Sequence, residues 1–138
     1  MKNNQAISYP LDKISDKRGY FLKTLTSNKF DINLNELEIY VTNAKPGQSK
    51  GGHFHEKAKE WFTLLKGKCT LVLIDVNTLD VTKIKMDESE PKTIFVPPFI
   101  AHEFYNTGKE EFLLLAATDQ LYRKEDTIPY EISLKDNL

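Results

Sequence analysis

An all-β fold, a sandwich or a barrel, is predicted by three features of the sequence. Its apolar residues fall in short segments rich in β-branched and aromatic side chains, turn-forming clusters separate those segments, and helical periodicity is nearly absent. In order, strands are expected at YFLKTLT (20–26), EIYVTNA (38–44), WFTLL (61–65), CTLVLID (69–75), VTKIKM (81–86), TIFV (93–96), HEFYN (102–106) and FLLLAAT (112–118). Each is short and carries residues that pack well on a pleated surface. Between them lie KPGQSKGG, KGK, DVNTLD, DESEP, PPF and NTGKE, where Gly, Pro, Asn and Asp supply the backbone conformations that end a strand. Only NKFDINLNELE (28–38) has room for a helical turn, and the polar tail YRKEDTIPYEISLKDNL reads as an edge segment or a short helix. There is no internal repeat and no low-complexity tract.

With 138 residues, 40% of them hydrophobic, the chain fits a single domain spanning 1–138 with an ordinary core. The net charge is −1, with both signs mixed along the sequence, so no basic face is offered to a run of phosphates and nucleic acid is not expected as a partner. Cys69 is the one cysteine; it has no internal disulfide partner, and in CTLVLID it reads as a small apolar filler of a buried strand. MKNNQAISYPLDKI lacks the apolar stretch of a signal peptide, and no run approaches a membrane span, so a cytoplasmic protein without a membrane partner is expected.

The densest chemistry sits in GGHFHEKAKEW, residues 51–61. Alternate residues of a strand share a face, so His53 and His55 point the same way and Phe54 points to the other side. Glu60 follows the charged turn EKAK and opens the next strand, from which it can fold back toward that face. VPPFIAHEFYN brings a further imidazole, His102, from the other half of the chain, with Asn106 four residues on. Three imidazoles and a carboxylate are a ligand set for Fe, Mn, Ni or Zn; they are equally a set of proton carriers near neutral pH.

The spacing of Gly47, His53, His55, Glu60 and Gly67 resembles the first motif of the cupin superfamily at every fixed position. Pro97, His102 and Asn106 match the second motif, with Phe99 where its usual glycine stands. The resemblance implies a double-stranded β-helix, or jelly-roll barrel, with a pocket lined by these side chains. More closely, GGHFHEKAKEWFTLLKGKC, VPPFIAHEFYN, LLAATDQLYRKED and the upstream DKRGYF resemble the sugar-nucleotide 3,4-ketoisomerases, cupins that act on dTDP-4-keto-6-deoxyglucose; the 3,5-epimerases of the rhamnose pathway are more distant cousins. That resemblance implies an isomerase of deoxysugar and surface-polysaccharide biosynthesis, a nucleotide-linked sugar as substrate, and a histidine proton shuttle with no cofactor required. It implies catalytic roles for His53, His55 and Tyr40. Substrate contacts are expected from Arg18, Lys50, Glu60 and His102, with Arg18 and Lys50 near the diphosphate. Lys50 stands where the family usually has arginine, exchanging a bidentate fork for a point charge. Leu115 falls roughly where the epimerases carry a catalytic tyrosine, which counts against their mechanism.

Moving a carbonyl from C4 to C3 of a hexose requires loss of the C3 proton, an enediol, and return of a proton to C4, so one base and one relay suffice. Tyr40, on the strand before the motif loop, is placed to donate to the developing enediolate. Three other readings stand beside this one: a metal-dependent oxygenase or isomerase with His53, His55, Glu60 and His102 around one divalent ion, a C3 epimerase of a nucleotide-4-ketosugar, and a non-enzymatic sugar- or metal-sensing module. An open edge at YFLKTLT leads to the expectation of a homodimer.

Overall fold

A computed structural model describes residues 5–132. Its strands are β1 (Ile7–Pro10), β2 (Lys13–Asp16), β3 (Gly19–Leu22), β4 (Glu38–Ala44), β5 (Ser49–Phe54), β6 (Glu60–Lys66), β7 (Lys68–Asp75), β8 (Val81–Asp87), β9 (Lys92–Val96), β10 (Ile100–Tyr105), β11 (Phe112–Thr118) and β12 (Ile128–Pro129). Single 3₁₀ turns occupy Leu34–Glu36 and Lys124–Asp126. The first falls within the segment expected to hold a helical turn, and Asn33 caps it by accepting the Asn35 N–H at 3.0 Å.

Two five-stranded antiparallel sheets, ordered β1-β9-β6-β11-β4 and β12-β5-β10-β7-β8, face each other as a jelly roll. Strands adjacent in a sheet are mostly distant in the chain, as in β4 with β11 and β5 with β10, so the barrel closes through long-range pairing. Between the sheets lie Phe62, Leu64, Leu71, Ile94, Phe104 and Phe112, all buried. Burying each such side chain is worth roughly 1.5–3 kcal/mol, and this continuous apolar layer is what holds the sheets together. Cys69 belongs to the same layer, and burial pushes its thiol up to about 12, in keeping with a filler.

Three differences from the sequence reading have local causes. The strand expected at 20–26 ends at Leu22, and its partner is β2, so it forms an isolated hairpin outside both sheets. Strand β1, which pairs with β9, is only four residues long, mostly exposed and ends in proline, too little signal for a strand to be read. The turn-like KPGQSKGG contains the first four residues of β5, because Gly51 and Gly52 are strand residues with φ of +106° and +82°. A Cβ on Gly51 would stand 2.6 Å from the His102 carbonyl oxygen; glycine lets β5 approach β10 where the histidines meet.

Candidate active site

His53, near the end of β5, lies opposite His102 in β10, and the pairing shifts register immediately after His102. Their ring centroids are 4.9 Å apart. His55 lies one residue beyond β5, its ring 5.1 Å from His53, whereas Phe54 turns away and packs on Phe99 and Tyr130. The two-residue period thus places both imidazoles on the inner side, as expected. Glu60, the first residue of β6, is buried with Oε1 3.0 Å from His55 Nε2 and 3.2 Å from His102 Nε2. Tyr40 in β4 donates its hydroxyl to Glu60 Oε2 at 3.3 Å. One ligand atom from each of His53, His55, Glu60 and His102 lies within 4.8 Å of all the others.

Phe99 explains how the second motif works without its glycine. It adopts the left-handed conformation itself, φ +66°, at a cost of about 1–2 kcal/mol for a residue with a side chain. In that conformation its N–H donates to the His55 carbonyl at 2.7 Å, tying the 96–100 turn to the histidine loop. Asn106, the last motif residue, is structural: its amide donates to the Ala44 and Glu110 carbonyls and accepts the Gly108 N–H.

The electrostatics divide the three imidazoles. Burial, reinforced by the charges of His102 and His55, pushes His53 down to about 4, so it is neutral at pH 7. Burial also opposes charge on His55, but the adjacent Glu60 carboxylate and then the Asp126 carbonyl outweigh it and raise its pKa. Glu60 is the counterpart: burial pushes it up, yet contact with His102 and His55 holds the carboxyl well below the usual range. Burial first, and then the charge of Glu60, pushes Tyr40 above its ordinary value, so its hydroxyl keeps its proton. The approaches of His55 Nε2 and His102 Nε2 to Glu60 Oε1 are short but off the line of a hydrogen bond, and none of these three buried atoms has a hydrogen-bond partner among the described residues.

Tyr40, His53, His55 and Glu60 open onto a cavity of about 530 Å³ whose outer wall is the segment from Gln120 to Arg123. A second cavity, about 180 Å³, reaches His53 and Tyr40 from the other side and is lined by Lys50 and His102. Arg18 is elsewhere. It sits on the β2–β3 turn, 85% exposed, paired with Asp16 at 2.6 Å, and lines neither cavity. Leu115 lines a groove with Trp61 and Thr63 that none of the histidines lines.

Asp126 was not singled out from the sequence. It is buried in the second 3₁₀ turn; its carboxylate accepts the N–H groups of Glu56 and Lys57 on Oδ1, at 2.9 and 3.1 Å, and of Ala58 on Oδ2 at 3.1 Å. Its main-chain carbonyl receives His55 Nδ1 at 2.7 Å. No local pattern announces an aspartate that acts across so long a separation.

A jelly roll with paired imidazoles at the end of one strand, a carboxylate opening the next and a third imidazole from the second half of the chain has the arrangement of a cupin. Within that class the chain belongs to the polysaccharide biosynthesis C-terminal domain family, whose pattern matches residues 14–130. It is 24% identical over 132 residues to the UDP-2-acetamido-2,6-beta-L-arabino-hexul-4-ose reductase of Pseudomonas aeruginosa, covering 94% of this chain but only 33% of the reductase. It is also 24% identical over 116 residues to the TDP-4-oxo-6-deoxy-alpha-D-glucose-3,4-oxoisomerase of Aneurinibacillus thermoaerophilus, covering 84% of this chain and 79% of that enzyme. The fold matches the crystal structure of a dTDP sugar isomerase from Desulfovibrio desulfuricans with a TM-score of 0.83 and 20% identity, over 93% of this chain and 85% of the other. No helix among the described residues is long and apolar enough to cross a membrane.

Proposed function

We propose that this chain is a sugar-nucleotide isomerase, moving the carbonyl of a dTDP-4-keto-6-deoxyhexose from C4 to C3 within one cupin domain, in the assembly of deoxysugars for surface polysaccharides. The observation that carries the reading is the contrast between His53 and His55: neighbouring imidazoles on one cavity wall, one neutral and one with its charge favoured. The similarity to an oxoisomerase over most of both chains supports the substrate class.

In this reading neutral His53 takes the proton from C3, and the C–H electron pair becomes the C3–C4 double bond of an enediolate with its charge on the C4 oxygen. His55 and Tyr40 donate toward that oxygen. Proton transfer from the C3 hydroxyl to the C4 oxygen and delivery of a proton to C4 then leave a C3 ketone and a C4 hydroxyl, with no net oxidation. The lowered pKa of His53 keeps it free to accept at neutral pH, at some loss of basicity. Lys50 contacts the diphosphate from the smaller cavity. The hairpin position of Arg18 allows it a phosphate contact only across an interface, and a homodimer supplies one: Ile14, Tyr20 and Phe21 are exposed on the hairpin, and Ile39 and Val41 on the edge strand β4. An isolated two-stranded hairpin is marginal in water, and a second copy would cover both apolar surfaces.

A second reading is favoured by the three buried atoms without hydrogen-bond partners. His53, His55, Glu60 and His102 fit the donor set of one divalent transition metal, which would supply a Lewis acid at the floor of the cavity. The deciding experiment incubates the protein with dTDP-4-keto-6-deoxyglucose and follows the 3-keto product by NMR, before and after exhaustive EDTA treatment and desalting. Turnover that survives chelation supports the proton shuttle. Activity lost on chelation and restored by one divalent ion transfers the assignment to the metal reading, and no turnover in either state removes the isomerase assignment.

A further inference from the structure

We infer that Asp126 is a positioning residue for His55, acting through its carboxylate on the turn that follows the histidine and through its main-chain carbonyl on the imidazole itself. The inference rests on His55 belonging to the proton-transfer site. Residues 56–59 connect His55 to Glu60, and in this charged turn Glu56 and Lys57 are exposed and only the small Ala58 is buried, so packing does little to fix it. What fixes it is the convergence of three consecutive N–H groups, those of Glu56, Lys57 and Ala58, on one buried carboxylate. The same residue's carbonyl, 2.7 Å from His55 Nδ1, requires a proton on Nδ1 and thereby aims Nε2 at Glu60 and the cavity. Carboxylate and carbonyl act together. The first holds the turn against the 124–126 segment, and that contact keeps the second within reach of the ring.

Asp119 provides the comparison. It anchors the far end of the same turn, accepting the Lys59 N–H at 2.9 Å and donating its own N–H to the Lys59 carbonyl at 3.2 Å, yet neither bond reaches a histidine. A general loosening of the turn would follow from either aspartate, whereas control of His55 belongs to Asp126 alone. Asp126 and Thr127 also line the cavity, so the orientation of the histidine is fixed by a stretch of chain that borders the space proposed for the substrate.

The test is an NMR measurement of the His55 Nδ1 proton in the full chain, paired with steady-state kinetics on the dTDP-4-keto sugar. Wild-type protein should show a downfield, slowly exchanging Nδ1–H resonance for His55, and its absence would overturn the inference at once. Asp126→Asn keeps the volume but replaces one acceptor oxygen with a donor. It should broaden that resonance and lower kcat about 10- to 100-fold, the range for losing an outer partner of a functional histidine, with KM nearly unchanged. Asp119→Ala should retain the resonance. Should Asp126→Asn keep the resonance at wild-type exchange rates, or lose it without a fall in kcat, Asp126 is a structural residue only. Absence of turnover by the wild-type protein would remove the isomerase reading, while the resonance would still decide the role of Asp126.

Discussion

Replacing Glu60 with glutamine removes one buried negative charge at nearly constant volume. The carboxylate stands 3.0 Å from His55 Nε2 and 3.2 Å from His102 Nε2, and it is the leading favourable influence on His55. An opposite charge at such range is worth on the order of 1–3 pKa units to its partner, which corresponds to about 1.4–4 kcal/mol. Without it the burial of His55 is unopposed except by Asp126, and its pKa falls from above 6.5 to below it. The sign follows from proton linkage. A histidine raised in the folded state contributes stability that is fully present below its unfolded value and is lost as the pH rises through the folded one. Glu60→Gln is therefore expected to cost about 1–4 kcal/mol near pH 6, with the deficit narrowing in alkaline solution, where wild-type Glu60 faces neutral imidazoles. Urea unfolding across this range, together with NMR titration of the His55 ring in chelator-treated protein, measures both quantities. If His55 titrates at the same pH in both proteins, Glu60 is not what charges it, and the division of roles between the two imidazoles is wrong.

His53→Asn and His55→Asn should each lower kcat by about 100-fold or more with little change in nucleotide affinity, and loss of the base should abolish solvent-deuterium exchange at C3; two variants with wild-type exchange would move the chemistry elsewhere. Tyr40→Phe, which loses one hydrogen bond to Glu60, should lower kcat less than either histidine change, and a loss as large as theirs would make Tyr40 an obligatory proton carrier. His53 is depressed in the folded state, so between about pH 6.5 and 4 the unfolded chain binds a proton that the native one refuses; stability should fall on acidification through this window, and less so in His53→Asn. Light scattering at micromolar concentration should give a dimer, and Tyr20→Glu on the exposed hairpin should shift it toward monomer; a wild-type protein that is already monomeric refutes the interface.

The residue pattern foretold the all-β barrel and which side chains it brings together more fully than it foretold where each strand begins and ends. Strands β4 and β11 coincide with the expected segments, because EIYVTNA and FLLLAAT are uninterrupted and bounded by turn residues. His53 and His55 share a side because the strand period requires it, and the motif spacing brought in Glu60 and His102. Three features were not legible. β5 begins inside a run that looks like a turn, since its glycines answer a contact with β10 that only the folded barrel creates. Phe99 reads as a defect in the motif, yet the turn imposes the glycine-like conformation and the hydrogen bond to His55 survives. Arg18 sits in a family-like segment, but the hairpin carrying it pairs with neither sheet, and nothing local shows where such an arm points.

The bond from His55 to the Asp126 carbonyl spans 71 residues, and it bears on how the chain behaves while it is being made. A ribosome adding about 5–20 residues per second exposes the histidine loop several seconds before its anchor exists. Throughout that interval β4, β5 and β6 also lack the partners that β10 and β11 later provide, so apolar strand edges and loose imidazoles are presented together to the cytosol of any expression host. Nascent chains stalled before residue 126 are then targets for chaperones and adventitious metal, and the proposed proton-transfer site is among the last parts of the molecule to acquire its shape.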